Sequence, residues 1–333
     1  MTPEESQSQI ATIDQEILRL VGQRIDLTRV AYGSVDTISG LVADANERID
    51  QVVESRSDQT DPGAGVCRDL LRCVSSVCLQ AVRPRTVAFL GPQHSYSHLA
   101  AIAYFGSAFQ MAAVTSIPAV FQAVQRGDAD AGLVPIENST DGRVVDTLDM
   151  FVRRHMEICG EVNLPIHHNL LSRTPREQIV EVHSKPQALS QCRGWLSSQL
   201  PGAKLVENTS TAESARLAAE KPGVAAVASL QAGQAYELDV IQANIEDNPN
   251  NVTRFAVLGR EKMSPTGHDK TSLLFQVEHQ PGALADVMLI FKERHLNLTW
   301  IESFPCPETP SEYLFFAEVT GHRDEPELRA AIE

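Results

Sequence analysis

Three clusters of polar residues adjoin short apolar runs, and their types suit the binding of a small anion. Gly91-Pro92-Gln93-His94-Ser95-Tyr96-Ser97-His98 follows one run and opens a helical pattern, and Glu137-Asn138-Ser139-Thr140-Asp141-Gly142 follows another. Asn250-Asn251-Val252-Thr253-Arg254-Phe255 leads into a third. Hydroxyls and main-chain amides at helix N-termini hold anions, and Arg254 adds a planar cation with paired donors. The same residue types also serve as caps and turns. Pattern alone therefore supports an α/β protein that binds a small anion. The sequence has no phosphate loop, no GxGxxG, no HExxH and no defensible Ser/His/Asp set. Six cysteines lie scattered without a CxxC or a Cys/His metal spacing, so they read as thiols of a reducing compartment. No metal or cofactor is expected.

The elements that must position these clusters alternate. From Thr86 to about Arg260, apolar runs at Val87–Leu90, Gly132–Ile136, Ile179–His183, Lys204–Val206, Val224–Ala228 and Phe255–Leu258 predict strands. Helical patterns such as Gln187–Leu200 and Ala212–Ala219 follow several of them, the latter behind a Ser210-Thr211-Ala212-Glu213 capping box. Such alternation predicts largely parallel sheets with the ligand cleft at the strand carboxyl ends. Two consecutive strands, Ile158–Leu164 and His168–Leu171, favour two lobes joined by crossovers.

Helices are expected before this region. Thr2-Pro3-Glu4-Glu5 fits an N-cap, a first-turn proline and a capping-box glutamate, and Ile10, Ile13, Ile17, Leu20, Val21 and Val30 recur at helical spacing. Ile38–Val53 and Leu70–Ala81 read as two more helices separated by a Ser55–Gly65 loop, with Arg83-Pro84-Arg85 as the boundary. Helices this long must pair with each other or with a second subunit. After a polar linker at Glu261–Asp269 come a strand (Thr271–Glu278), a helix (Ala283–Arg294), two strands (Leu298–Ser303, Tyr313–Val319) and a helix from Asp324 to Ile332. The order βαββα is one strand short of the six-element ferredoxin-like motif, so this part is expected to be incomplete.

Length, composition and charge bound the function. With 333 residues, two or three domains are expected; 43% hydrophobic and 21% charged residues are those of a globular chain. The net charge of −15 argues against nucleic acid or an anionic membrane as partner. The acidic start MTPEESQSQI lacks a signal-peptide pattern, and no apolar stretch approaches the roughly 18 residues of a membrane span. A cytoplasmic location is expected.

The middle segment resembles the prephenate dehydratase family along its whole length. The resemblance rests on Phe89-Leu90-Gly91-Pro92 with Ser95-Tyr96-Ser97-His98, Val134-Pro135-Ile136-Glu137-Asn138-Ser139-Thr140, Gly160-Glu161-Val162, His183-Ser184-Lys185-Pro186-Gln187-Ala188-Leu189 and Asn251-Val252-Thr253-Arg254-Phe255. It implies two α/β lobes, like those of periplasmic binding proteins, around a cleft that converts prephenate to phenylpyruvate without a cofactor. It makes Thr253 the catalytic residue and assigns Ser95, Tyr96, Asn138, Ser139, Thr140 and Arg254 to the substrate. The family has glycine where this chain has His94; glycine would allow positive φ or close approach to a ligand. The histidine is either an exposed loop residue or a titratable group beside a dianion.

Two further resemblances flank it. Gln280-Pro281-Gly282-Ala283-Leu284 and Ile301-Glu302-Ser303-Phe304-Pro305 resemble the ACT regulatory domain, implying that L-phenylalanine binds around Gly282, Ala283, Leu284, Glu302 and Ser303 as an inhibitor. Phe304 stands where that family has arginine. The helices resemble an AroQ-type chorismate mutase, as in bifunctional mutase–dehydratases. Arg24 keeps one mutase cation, whereas Gln7, Val35 and Val82 stand at other site positions and the Arg-Glu pair is reversed as Glu47-Arg48. Little or no mutase activity is expected, unless Arg29, Asp44 or Arg48 rebuilds the site. The expected segments are residues 1–83 (mutase-like), 86–262 (dehydratase) and 270–333 (ACT), in a homodimer or homotetramer. A non-catalytic ligand-binding relative is the alternative reading.

Overall fold

The computed structural model describes residues 2–35, 38–55, 63–306 and 312–333. Most of the loop expected at Ser55–Gly65 lies outside the described residues. The chain forms two compact units, residues 1–147 with 159–261, and residues 148–158 with 262–333. Among the described residues no helix is long and apolar enough to cross a membrane.

The first unit opens with α1 (Pro3–Tyr32), α2 (Ile38–Ser55) and α3 (Ala64–Val82). As the sequence predicts, Thr2 Oγ1 accepts from the Glu5 amide at 3.1 Å and the Glu5 carboxylate accepts from the Thr2 amide at 2.7 Å. There follow β1 (Thr86–Leu90), α4 (Tyr96–Phe105), β2 (Gln110–Val114), α5 (Ile117–Arg126), β3 (Ala131–Asn138), β4 (Gly142–Arg143), α6 (Val145–Arg153) and β5 (Glu157–Pro165). The second lobe holds β6 (Asn169–Ser172), β7 (Glu181–Ser184), α7 (Pro186–Gln191), α8 (Arg193–Gln199), β8 (Lys204–Glu207), α9 (Thr211–Glu220), β9 (Val224–Ala228), α10 (Leu230–Ala235) and β10 (Asp239–Gln242). The chain then returns to the first lobe as β11 (Val252–Gly259).

Two sheets result, ordered β2-β1-β3-β11-β5, with β4 on β3, and β10-β6-β9-β7-β8. The consecutive strands β5 and β6 thus fall in different sheets, in keeping with two lobes. The sheets are mixed rather than largely parallel. β11 runs against β3, and β6 runs against both β9 and β10, whereas β1 is parallel to β2 and β3, and β7 to β8 and β9. The reversed strands are the ones that arrive from the other lobe, and a crossing chain enters its new sheet from the opposite end. Ser210 caps α9 as predicted, but the Glu213 carboxylate grips Arg216. The predicted helix Gln187–Leu200 breaks at Cys192 into α7 and α8.

Arg83-Pro84-Arg85 marks a change of texture but not a break in packing. Ile38 and Val42 of α2 lie in one buried cluster with Val87, Phe89, Phe105, Phe109, Leu133 and Val257. Asn46 Nδ2 donates to the Tyr104 carbonyl at 3.1 Å. The sheet face of the first lobe is therefore covered in part by the N-terminal helices.

The second unit takes in residues 148–153 of α6 and contains β12 (Lys270–Val277), α11 (Ala283–Glu293), β13 (Leu298–Pro305), β14 (Tyr313–Thr320) and α12 (Pro326–Ile332), the last five in the predicted βαββα order. Its antiparallel sheet runs β12-β14-β13, and Phe291, Val319 and Leu328 form its core with Leu273 and Leu298 around them.

Candidate functional site

Antiparallel pairing of β3 with β11 sets Thr253 opposite Asn138 and Arg254 opposite Glu137. Two of the three sequence clusters thereby meet. The Asn138 carbonyl oxygen accepts from the main-chain amides of Thr140 and Asp141, both at 3.0 Å, which fixes the orientation of the side-chain amide. Its nitrogen then donates to Asn251 Oδ1 and Thr253 Oγ1, both at 2.8 Å. Thr253 Oγ1 is thus an acceptor from within the protein, and its own hydrogen is directed elsewhere.

The same logic runs outward along a chain of side chains. Asn251 Nδ2 donates to Gln191 Oε1 at 2.9 Å, and Gln191 Nε2 donates to Asp141 Oδ2 at 2.9 Å. Gln191 Oε1 also lies 2.9 Å from His168 Nε2, and an amide oxygen only accepts, so that nitrogen carries the proton. Burial lowers the His168 pKa; Gln191, Glu246 and Asp141 pull it upward and His167 adds to the lowering. In the neutral ring Nδ1 is an acceptor. The Tyr96 hydroxyl faces that nitrogen at 3.0 Å and the His167 carbonyl at 2.7 Å, and its hydrogen serves one or the other. Burial is also the main cause that raises the Tyr96 pKa.

These side chains sit where the chain passes between lobes. The two crossovers run side by side, with the Ile166 amide on the Asn251 carbonyl and the Ile245 amide on the His168 carbonyl, both at 2.8 Å. The Glu246 carboxylate clasps them, taking the His168 amide and His167 Nδ1 at 2.8 Å each. Burial alone would raise its pKa, but those hydrogen bonds outweigh it and the net shift is downward.

The expected substrate residues are mostly occupied within the protein. Ser139 Oγ accepts from the Val252 amide at 2.9 Å and donates to the Asn250 carbonyl at 3.3 Å. Thr140 Oγ1 lies between Asn248 and Asn251. Ser95 is the N-cap of α4, accepting from the His98 amide and donating to the Leu90 carbonyl. Arg254 is largely buried and does not offer the uncommitted cation expected from sequence. Its Nε meets Glu137 at 3.1 Å and its Nη1 meets Glu161 at 2.9 Å. His94 adopts φ +64°, the left-handed conformation that a glycine would take without strain.

His168, Gln191 and Asn251 had no assigned role in the sequence reading, and neither had Lys185 at the start of α7. Lys185 is exposed as a residue, yet desolvation by the surrounding protein lowers its pKa, while Asp141 and Asp146 oppose that shift. A helical period cannot mark Gln191 as special, because its role depends on the break at Cys192.

The other expected sites are less assembled. Arg24 spends Nη1 on the Val74 carbonyl at 3.4 Å, Arg29 pairs with Asp26, and Arg48 lies over the Tyr32 ring. In the second unit Gly282 caps α11 with φ +90°, directly ahead of Ala283 and Leu284. Glu302 and Ser303 are consecutive on β13 and so face opposite sides of the sheet. Phe304 shares the Glu302 face and is buried. Among the described residues no group of acidic, histidine and cysteine side chains is arranged to hold a metal ion.

Comparison with known proteins agrees on the family. The prephenate dehydratase family model matches residues 87–263. A bifunctional chorismate mutase/prephenate dehydratase of Aquifex aeolicus is 36% identical over 99% of this chain and 92% of its own length. One from Neisseria gonorrhoeae is 39% identical over 97% and 90%. Among solved structures, the Arthrobacter aurescens prephenate dehydratase in complex with L-Phe has a TM-score of 0.66 at 32% identity, covering 74% of this chain and 84% of that one.

Proposed function

The chain belongs to the prephenate dehydratase family, and from that premise we propose that the Thr253 hydroxyl assists the leaving group in the cleft between the lobes. The protein is an enzyme of phenylalanine biosynthesis that converts prephenate to phenylpyruvate. In that reaction the ring carboxylate leaves as carbon dioxide and its bonding pair moves into the ring. The C–O bond at the opposite ring carbon breaks with its electron pair on oxygen, which leaves as hydroxide and becomes water by taking a proton from solvent. The ring becomes aromatic, so the demand on the protein is help for the departing oxygen. A threonine hydroxyl is too weak an acid to give up a free proton. It serves instead as a hydrogen-bond donor whose hold tightens as charge builds on that oxygen, an effect worth roughly 100- to 1,000-fold in rate.

The observation that carries this reading is the 2.8 Å donation from Asn138 to Thr253 Oγ1, which turns the hydroxyl hydrogen outward. Asn138, Ser139 and Thr140 act by holding Thr253 and the 248–252 loop rather than by spending their own donors on substrate. Lys185 and the amides of Tyr96 and Ser97 in the first turn of α4, beside Ser95, supply the attraction for the substrate carboxylates. Arg254 fixes β11 beside Glu137 and Glu161. Phenylpyruvate formation from prephenate, with chorismate as a parallel substrate, tests the assignment. Turnover of prephenate alone supports it; no turnover by a folded sample moves the protein to the binding relatives.

The segments at either end extend the proposal. The 270–333 βαββα segment is read as an ACT domain that binds L-phenylalanine at the Gly282–Leu284 turn with Ser303 or Glu302, and inhibits the enzyme. A relative solved with L-Phe supports this, and inhibition of prephenate turnover by L-phenylalanine tests it. The 1–83 helices are read as an AroQ-like segment with little mutase activity, since Arg24, Arg29 and Arg48 each engage a local partner. On α1, Ile10, Ile13, Ile17, Leu20 and Leu27 are at least half exposed and recur at alternating spacings of three and four, with Arg24 completing the series. Such a stripe suits pairing with a second copy in a homodimer.

A further inference from the structure

His94 holds a conformation that is disfavoured for any residue with a Cβ, and it does so at the rim between the lobes. Its amide donates to His98 Nδ1 at 3.0 Å within the first lobe. Its carbonyl accepts from Ser229 Oγ of the second lobe at 3.5 Å. Its ring stands edge-on to His98 at 5.7 Å and to Tyr236 at 5.9 Å between centroids. Ser229 and Tyr236 are the N-cap and C-cap of α10. One first-lobe residue therefore spans both ends of a second-lobe helix, outside the two crossovers.

The ends of α10 are themselves fixed. Ser229 is buried and accepts from the Ala232 amide at 3.2 Å. Tyr236 packs against the cluster of Leu171, Ala232 and Leu238. A glycine at position 94 would satisfy the turn with no strain but would offer no ring. A strained residue persists where the surrounding contacts over-determine it, and here those contacts cross between lobes.

We infer that His94 is an interlobe positioning residue, whose ring against Tyr236 and carbonyl against Ser229 bias the lobes toward the arrangement observed here. The inference rests on the dehydratase reading of the cleft. If that arrangement is the one that binds substrate, a protein that holds it for a smaller fraction of the time binds with proportionally weaker apparent affinity, while the chemistry on bound substrate is unaltered. The effect belongs in KM and not in kcat.

His94→Gly tests this directly, because it relieves the turn while removing the ring. The expected result is a KM for prephenate raised at least about threefold, a kcat within about twofold of the parent, and an unchanged or higher Tm. Amide exchange across Leu230–Tyr236, measured without substrate, is expected to quicken. Tyr236→Phe should keep the parent KM, and Tyr236→Ala should raise it, with no further rise when His94→Gly is added. A parent-like KM and parent-like exchange in His94→Gly would overturn the inference, as would a lowered Tm with a matching loss of kcat. Additive effects of the two changes would overturn it as well. Absence of prephenate turnover in the parent would instead remove the dehydratase reading, while the exchange comparison would still report on the interlobe contact.

Discussion

Thr253 and Asn138 face each other across paired strands, and the amide of one fixes the hydroxyl of the other at 2.8 Å. The direction of that bond is set by the main-chain amides of Thr140 and Asp141, which leave Asn138 only its nitrogen to offer. Replacing Asn138 with Asp keeps the acceptor for those amides and removes both donors. A carboxylate would draw the Thr253 hydrogen toward itself and away from the substrate. Asn138→Asp is therefore expected to lower kcat by about 100-fold or more, with KM little changed, in steady-state assays with prephenate.

Arg254 as a scaffold and Arg254 as a substrate clamp are separable by experiment. Removing it takes away the cation that Glu137 and Glu161 share in a partly buried site. Arg254→Met is expected to cost about 1–3 kcal/mol of stability, the lower end reflecting the solvent exposure of both carboxylates. KM should change by less than about threefold. A tenfold rise in KM at unchanged Tm would make the guanidinium a direct substrate ligand.

His168 gives a pH dependence of definite sign. Its folded-state pKa is lowered, chiefly by burial, below an unfolded value of about 6.5. Above that value the ring is neutral in both states and its full contribution to stability is present. As pH falls through about 6.5 the unfolded chain takes up a proton that the folded chain refuses, so stability declines until the folded pKa is passed. His98 is lowered for the same first reason and adds with the same sign. Tm should fall between pH 8 and 5.5, and His168→Gln should flatten part of that slope.

The helices before residue 83 are expected to be needed by the dehydratase lobe. Ile38 and Val42 are almost fully buried against Phe89, Phe105 and Val257. Ile38→Ala should cost about 2–4 kcal/mol in urea unfolding, with dehydratase activity lost along the same transition. Parent-like stability in that variant, or full dehydratase activity after removal of residues 1–82, would show that the helices merely rest on the lobe.

What the sequence revealed was mostly what local chemistry encodes. The Thr2–Glu5 box, the Val224–Ala228 strand and the two-lobe organisation follow from caps, apolar runs and alternation. Strand direction did not, because β6 and β11 reverse through crossovers that leave no local mark. The site divides in the same way. Thr253 and Asn138 were visible through family motifs, and the glycine preference at position 94 anticipated the φ of +64° observed for His94. The partners of the side chains within the site were not visible. Ser139, Thr140 and Ser95 read as ligands, yet their hydroxyls are committed to caps and loop contacts. Arg254 read as an available cation, while its two carboxylate partners come from β3 and β5. Gln191 and His168 join the network only through tertiary contacts between lobes, which no spacing along the chain expresses.

The most direct test of the central claim is the rate of phenylpyruvate formation by Thr253→Val, compared with the parent at saturating prephenate. Valine keeps the branched shape and removes only the hydroxyl. The expected result is a folded protein with parent-like Tm and a kcat lower by about 100- to 1,000-fold. Turnover within a few fold of the parent would contradict the assignment of the leaving-group donor to Thr253.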